Sequence, residues 1–370
     1  MPSTLDDLRR FAVARSLFRP TTLKRALHKM GFVQADPIRA PARAQDLVLR
    51  HRVKGYRVGD LDRRYATLGV YEDFFLNYGF VTGQLQALMH PRSEAGVHGG
   101  GLASWPRARR EQARLVLEFV RARGAVHPRE VDAHFAHGTV RNYWGGVSSA
   151  TTLLLDAMHY RGLLRVARRD GGVRVYATCE AVQGHVEEAD DAARLDRLVD
   201  AAVILYAPLP APSLSSLVRR LRYAAPQWRG ALTDALGRAK QRFAHERVGG
   251  IDWYWPAKEG PARCPPLTDA VRLLTPFDPI VWDRARFELL WGWAYRFEAY
   301  TPLARRKLGY YALPLLWRDR VVGWANVAVR GGALQAGFGF VGSCAPPGRA
   351  FKGALDEELD RLRAFLRVEG

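Results

Sequence analysis

The chain is poor in the residues and patterns that mark several large classes of protein. Its 370 residues include three cysteines, Cys179, Cys264 and Cys344, too scattered for a disulfide framework or a CxxC metal knuckle. No apolar run approaches the ~18 residues of a membrane span, and the N-terminus carries no apolar signal segment. The motifs GxxxxGK, GxGxxG before a helix, HExxH and GxSxG are all missing. Nucleotide hydrolysis, dinucleotide binding, zincin chemistry and the common serine-hydrolase elbow therefore lack support. His127, His134 and His137 come closest to a ligand cluster, but on a helix-and-turn segment their spacing reads as chance. These absences predict a cytoplasmic, nucleoid-associated protein with no metal, no cofactor and no membrane attachment.

Lysine and acidic residues are also scarce relative to what replaces them. Of 56 basic residues only seven are lysine and 49 are arginine, against 37 acidic residues, for a net charge of +19. A GC-rich coding preference would account for arginine in place of lysine, but not for the excess of positive charge. That excess points to a polyanionic partner, and the planar guanidinium suits phosphate and base edges. The charge is uneven. Residues 1–64 hold twelve arginines and three lysines against six aspartates, a net +9, whereas the stretch 180–200 is acidic, with seven carboxylates against Arg194 and Arg197.

The length suggests more than one domain. Apolar spacing predicts helices through Leu5–Ala12 and Leu23–Met30, with Gly31 as a C-terminal cap and an extended segment from Phe32 to Ile38. Past the glycines at 99–101, helices are expected over 107–121, after Pro128 and over 148–160. A hairpin then turns through Asp170, Gly171 and Gly172. Three helices followed by a hairpin is the order of a winged helix, and Arg168, Arg169 and Arg174 on that hairpin could grip phosphates or simply form a solvated charged face. A third helical unit spans 192–245, with Ser213 as the cap of its second helix and Ile251–Trp255 as its wing. The last region reads as a helix started by WDRAR, three period-two strands and an amphipathic terminal helix. The expectation is an α+β, mostly helical chain of tandem winged-helix units with a β-rich C-terminal region. Its divisions are 1–98, 99–180, 190–256 and 266–370.

One short segment carries candidate chemistry. In an extended Val33–Ile38, Gln34 and Asp36 point to the same side, roughly 7 Å apart, whereas on a helix they would diverge. An amide and a carboxylate placed so can hold a water and act as a base or as the counter-charge to a cationic intermediate. The competing reading is local: an Asp before Pro is also a common helix start, with Asp36 as N-cap and Pro37 in the first turn. The aromatic blocks around Trp282, Trp291, Trp293 and Tyr310 read as core, and Asp278 and Asp283 as caps and ion-pair partners.

The blocks GFVQADPIRAPARAQDLVLRHRV (31–53), Leu153–Gly162 with the following ARRDGG, LLTPFDPIVWDRARFELLWGWAYRFEAYTP (273–302) and GYYALPLLWRDRVVG (309–323) resemble the AlkZ-like, or YcaQ-group, winged-helix DNA glycosylases. The resemblance implies tandem winged helices in a C-shape around a basic DNA channel. It also implies a catalytic Gln-x-Gln or Gln-x-Asp pair, which Gln34 and Asp36 match in the second form. That form resembles the branch that removes N7-alkylated purines and unhooks interstrand crosslinks. The chain departs from the family pattern at Asp73–Tyr78, after Glu72, and again at Trp324–Ala328, which puts it in a divergent branch.

The expected function is thus hydrolysis of the N-glycosidic bond of N7-alkylated purines in double-stranded DNA by a monomeric, monofunctional glycosylase. Asp36 would stabilise the oxocarbenium ion and assist water attack, Gln34 would position the water, and Arg39, Arg43, Arg50 and Arg52 would anchor phosphates. His51 is either near the lesion or a surface histidine in an arginine-rich turn. The alternative is a winged-helix DNA-binding regulator or architectural factor, which needs the same charge but no water-handling pair.

Overall fold

The computed structural model describes residues 2–92, 105–141, 146–179, 190–342 and 344–368. The glycines at 99–101 and the carboxylates Glu180, Glu187 and Glu188 of the acidic stretch lie outside the described residues. The architecture is α+β. Contacts divide it into two compact units, one formed by Met1–Leu61, Val199–Leu217 and Leu236–Gly370, the other by Asp62–Leu198 and Val218–Ala235.

In the first unit, the opening helix spans Leu5–Ser16 because Thr4 and Asp7 form a reciprocal cap: the Asp7 amide donates to the Thr4 hydroxyl at 3.2 Å and the Thr4 amide to the Asp7 carboxylate at 2.8 Å. A second helix, Leu23–Met30, is capped by Thr22 and ends at Gly31, whose φ of 70° suits glycine and lets its amide reach the Leu27 carbonyl. Leu23, Ala26, Leu27 and Met30 put its apolar face into the core. The chain then runs straight into the short buried strand Phe32–Gln34.

Here the fold differs from expectation. Extended strand pairing ends at Gln34, short of Ile38. Pro37 has no N–H to give a ladder, and the Ile38 amide turns back to the Asp36 carboxylate at 2.9 Å. Nor does a helix begin at Asp36; the next one is Ala44–Leu49, all six of whose residues are buried.

The same unit holds an antiparallel four-stranded sheet in the order Val271–Leu273, Leu313–Trp317, Arg320–Arg330, Ala333–Phe340. Gly323, Ala325 and Val327 alternate inward along the third strand, the period expected of a half-buried strand. The terminal helix Arg349–Leu366 is fastened to the first strand by Glu358, which accepts from the Leu273 amide at 2.9 Å, and by Arg361, which donates to the Val271 carbonyl at 3.2 Å. Leu274, Ile280, Val281, Phe287, Tyr295 and Leu316 form a core beside this sheet. A smaller sheet pairs Ile251–Trp255 with Ala244–Val248 and Leu209–Pro210. Ser213 is not a cap, because the helix begins two residues earlier at Ala211 and Pro212 occupies its first turn, where no N–H is needed.

The second unit contains the series Arg107–Arg123, Ala125–Val126, Pro128–Phe135, Ala150–Tyr160, Leu164–Asp170 and Val173–Thr178. The hairpin turns on Gly171 and Gly172, both at positive φ. Val116, Val120, Val126, Val131, Leu155, Met158, Leu164 and Tyr176 make one core between these helices and the three-stranded sheet. The unit also carries an antiparallel hairpin, Val70–Phe74 with Tyr78–Thr82, followed by the helix Gly83–Met89.

Candidate active site

Gln34 ends the short strand with its side chain buried, and its amide oxygen accepts the Trp282 indole N–H at 2.8 Å. An indole nitrogen can only donate, so this bond fixes which end of the amide faces the tryptophan. Trp282 in turn lies 4.9 Å, centroid to centroid, from Tyr206. It is half-buried and tied to Gln34, so it is more than the core filler its sequence context suggests.

Asp36, two residues on, is half-buried and has one described partner, the Ile38 amide. No ion pair reaches it among the described residues. Burial pushes its carboxyl above the ordinary range, and the Ile38 amide only partly offsets this. Its charge is felt by Tyr311, whose phenol is itself pushed up by burial and meets the Thr275 hydroxyl at 3.1 Å. Phe297 closes on Tyr311 edge-to-face at 5.4 Å. Thr275 and Tyr311 carry no site signal in the sequence: Thr275 sits between Leu274 and Pro276, and Tyr311 follows Tyr310 at the start of a strand-like run.

The segment downstream of Asp36 borders an open groove of about 960 Å³. Arg39, Ala40 and Pro41 line it together with Leu303, Arg306, Tyr310, Tyr311 and the facing strand residues 326–330 and 335–337. Arg39 is exposed there, and Arg43, half-buried, precedes the helix Ala44–Leu49.

The other three basic candidates of this segment face inward. Arg50 is paired with Glu358, its side chain 3% exposed, and also donates to the Leu273 carbonyl at 3.1 Å. His51 is buried and bonds the same carbonyl through Nε2 at 2.9 Å; burial and the neighbouring arginines hold its pKa well below the usual histidine value, so it is a neutral core histidine and neither of the two roles expected of it. Arg52 has no exposed surface and forks onto Asp278 at 2.8 and 3.0 Å, while also donating to the carbonyls of Ser16 and Val48. Each charge is cancelled by a buried partner, so Arg50 and Arg52 brace the frame and present almost nothing to a phosphate.

On the hairpin of the second unit, Arg168 is exposed and pairs with Asp170 at 3.0 Å. Arg169 turns inward instead. It donates to Glu72 at 2.7 Å and to the Gly172 carbonyl at 2.8 Å. Arg174 donates to Asp156 at 2.6 Å and lies over the Tyr78 ring at 4.3 Å. Glu72 also accepts from Tyr78 at 2.7 Å. Asp73 is held by Arg92 at 2.7 Å and His90 at 2.8 Å. Beside these groups lies a cavity of about 250 Å³ lined by Asp73, Phe74, Tyr78, Asp156, His159, Tyr160 and Arg174. The hairpin arginines therefore divide: Arg168 faces solvent, and the other two knit this polar cluster.

Among the described residues no group of three or more His, Cys, Asp and Glu side chains is placed to hold a metal. His127 caps a helix, His134 stacks on Phe119 and His137 bonds Thr151. No described helix is long and apolar enough to cross a membrane.

A mixed fold with winged-helix element order and a strongly basic charge suit a DNA-directed protein. The comparisons agree. The family described as DNA glycosylase AlkZ-like matches residues 27–365. Over its full length the chain is similar in structure to the Streptomyces sahachiroi DNA glycosylase AlkZ, with a TM-score of 0.66, 15% identity and coverage of 98% of that chain. The chain belongs to the AlkZ-like DNA glycosylase family, and it is a DNA repair enzyme whose substrate is DNA.

Proposed function

We propose that this glycosylase hydrolyses the N-glycosidic bond of N7-alkylated purines in duplex DNA, with Asp36 and Gln34 as its catalytic pair. Alkylation at N7 makes the purine cationic. When the C1′–N9 bond breaks, its electron pair neutralises the base, which leaves without needing a proton from the protein. The demand falls on the sugar. The Asp36 carboxylate faces the developing oxocarbenium charge and takes the proton of the water that adds to C1′, while the Gln34 amide holds that water. Arg39, exposed on the groove, and Arg43, half-buried before the helix Ala44–Leu49, would anchor the flanking phosphates. The groove beside Arg39 is open, which suits a bulky adduct, and by this reading N7-linked interstrand crosslinks are also substrates.

The observation that carries the reading is Asp36 itself: a half-buried carboxylate, in a chain of 49 arginines, with no cation on it among the described residues. Such a charge costs stability and persists where chemistry uses it. The test uses purified protein with duplexes carrying N7-methylguanine or a nitrogen-mustard crosslink, and reads strand scission at the abasic product. Wild type is expected to release base, and Asp36→Asn to lose roughly 100-fold or more in rate while still binding DNA. No release from either substrate by wild type overturns the substrate assignment; release at the wild-type rate by Asp36→Asn overturns the role of Asp36.

A further inference from the structure

The two most exposed large apolar side chains among the described residues, Tyr300 at 81% and Leu303 at 79%, stand three positions apart on one loop. The loop is braced. The carboxylate of the buried Glu298 accepts the amides of Lys307, Leu308 and Gly309 at 2.9, 2.7 and 3.2 Å, which closes residues 298–309 into a compact turn. Within it the Arg306 guanidinium donates to the Thr301 carbonyl at 2.8 Å, and Leu303–Arg305 form a single 3-10 turn. At the far root Asn326 donates to the Leu308 carbonyl at 2.7 Å, and Gly309 packs so closely on Asn326 that a Cβ there would lie 2.3 Å from it.

A braced loop that holds two apolar side chains in water has already lost the conformational freedom that binding would otherwise remove. Single exposed apolar residues are ordinary. This pair is set apart by three further facts. From Tyr300 to Tyr310 the sequence has three cations, Arg305, Arg306 and Lys307, and no carboxylate. Leu303, Arg306 and Tyr310 share the groove with Arg39, on the segment just after Asp36. And an aromatic path leads inward, from Tyr300 to Phe297 at 6.0 Å and from Phe297 to Tyr311 at 5.4 Å, where the charge of Asp36 is felt.

From these we infer that the loop 298–310 is a wedge for duplex DNA: Tyr300 and Leu303 enter the base stack next to the damaged nucleotide while the three cations grip the phosphates on either side. The occupant is a nucleic acid because the stretch Tyr300–Tyr310 that carries the apolar tip holds three cations and no carboxylate, and because it borders the segment proposed to act on the sugar. Parting one base step unstacks the damaged nucleotide and exposes the glycosidic bond to the Asp36 segment. The inference rests on the glycosylase reading, so its test reads base stacking and not turnover.

The probe is a duplex with a tetrahydrofuran abasic analogue and 2-aminopurine as the adjacent base, mixed with the full chain. Wild type should raise 2-aminopurine fluorescence several-fold on binding. Tyr300→Ala/Leu303→Ala should bind within roughly 10-fold of wild type but give no rise, and Tyr300→Phe/Leu303→Met should restore it. Both sites are exposed, so the variants are expected to fold, and unchanged thermal melting checks this. A full rise with the double alanine variant overturns the wedge, as does tight wild-type binding with no rise. Concentration-dependent dimers of wild type, absent in the variant, would assign the tip to a second copy of the chain and overturn it as well. Because no base is released in this experiment, its outcome is separate from a failure of the N7-alkylpurine reading.

Discussion

Two carboxylate sites within this chain differ in what surrounds the charge. In the second unit, Glu72 and Asp73 are buried and each is met by arginine, Arg169 for one and Arg92 for the other. Burial alone would push both carboxyls up, yet these cations and the bonds of Tyr78 and His90 hold them below the ordinary range. In the first unit Asp36 is less buried but meets no cation among the described residues, and its carboxyl lies above the ordinary range. The more buried pair is the better neutralised. The catalytic role proposed above falls on the carboxylate without a cation, while the pair embraced by arginine is held as part of the frame.

The contrast can be broken most forcefully at Arg92, which donates to Asp73 at 2.7 Å, to the Phe74 carbonyl at 2.6 Å and to the Tyr160 carbonyl at 3.0 Å. Arg92→Ala strands the Asp73 charge in the interior and is expected to lower stability by about 3–5 kcal/mol in urea denaturation. A loss below about 1 kcal/mol would mean that this cluster is not the scaffold described. The Glu72–Asp73 bonds depend on ionised carboxylates, whose contribution is complete above their unfolded pKa and disappears only as pH falls through the depressed folded values.

A smaller effect is expected at Trp282. Trp282→Phe keeps an aromatic ring, though a smaller one, and removes the donor that orients the Gln34 amide, and base release should fall roughly 10-fold in kcat with little change in KM. Equal loss in both constants, or none, would show that the indole bond does not serve Gln34 in the reaction.

The smallest effect has the opposite sign. Because the folded pKa of Asp36 is raised, the ionised carboxylate costs the native state stability at neutral pH. Its favourable contribution is present below the unfolded value and is lost as pH rises through the folded one. Asp36→Asn keeps an acceptor for the Ile38 amide and should melt slightly higher than wild type at pH 7, with the gain vanishing below about pH 4. A lower melting temperature would make Asp36 a structural cap and sharpen the contrast against catalysis. In wild type the acidic limb of kcat/KM should lie above the pH at which a solvated aspartate titrates.

Much of the fold is legible in local pattern. Gly31 at a helix end, the Gly171–Gly172 turn and the alternation along Arg320–Arg330 are written in neighbouring residues, and the structure follows them. Asp283, read as a cap, accepts the Arg286 amide at 3.1 Å. The site is less legible. Arg39, Arg50 and Arg52 look alike in a basic stretch, yet one lines a groove and two vanish into ion pairs with residues more than 200 positions away. No local signal marks Glu358 or Asp278 as their partners.

Residue order suffices for the family, for the basic character of the protein and for the Gln-x-Asp segment, since each depends on which residues are neighbours along the chain and on their summed charge. It does not say which of the charges remain available. That depends on long-range packing, because an arginine's electrostatic role is set by whether the interior supplies it a carboxylate. The exposed tip of Tyr300 and Leu303 has the same origin: a short apolar and basic stretch becomes a braced projection only because Glu298 and Asn326 are brought against its far end.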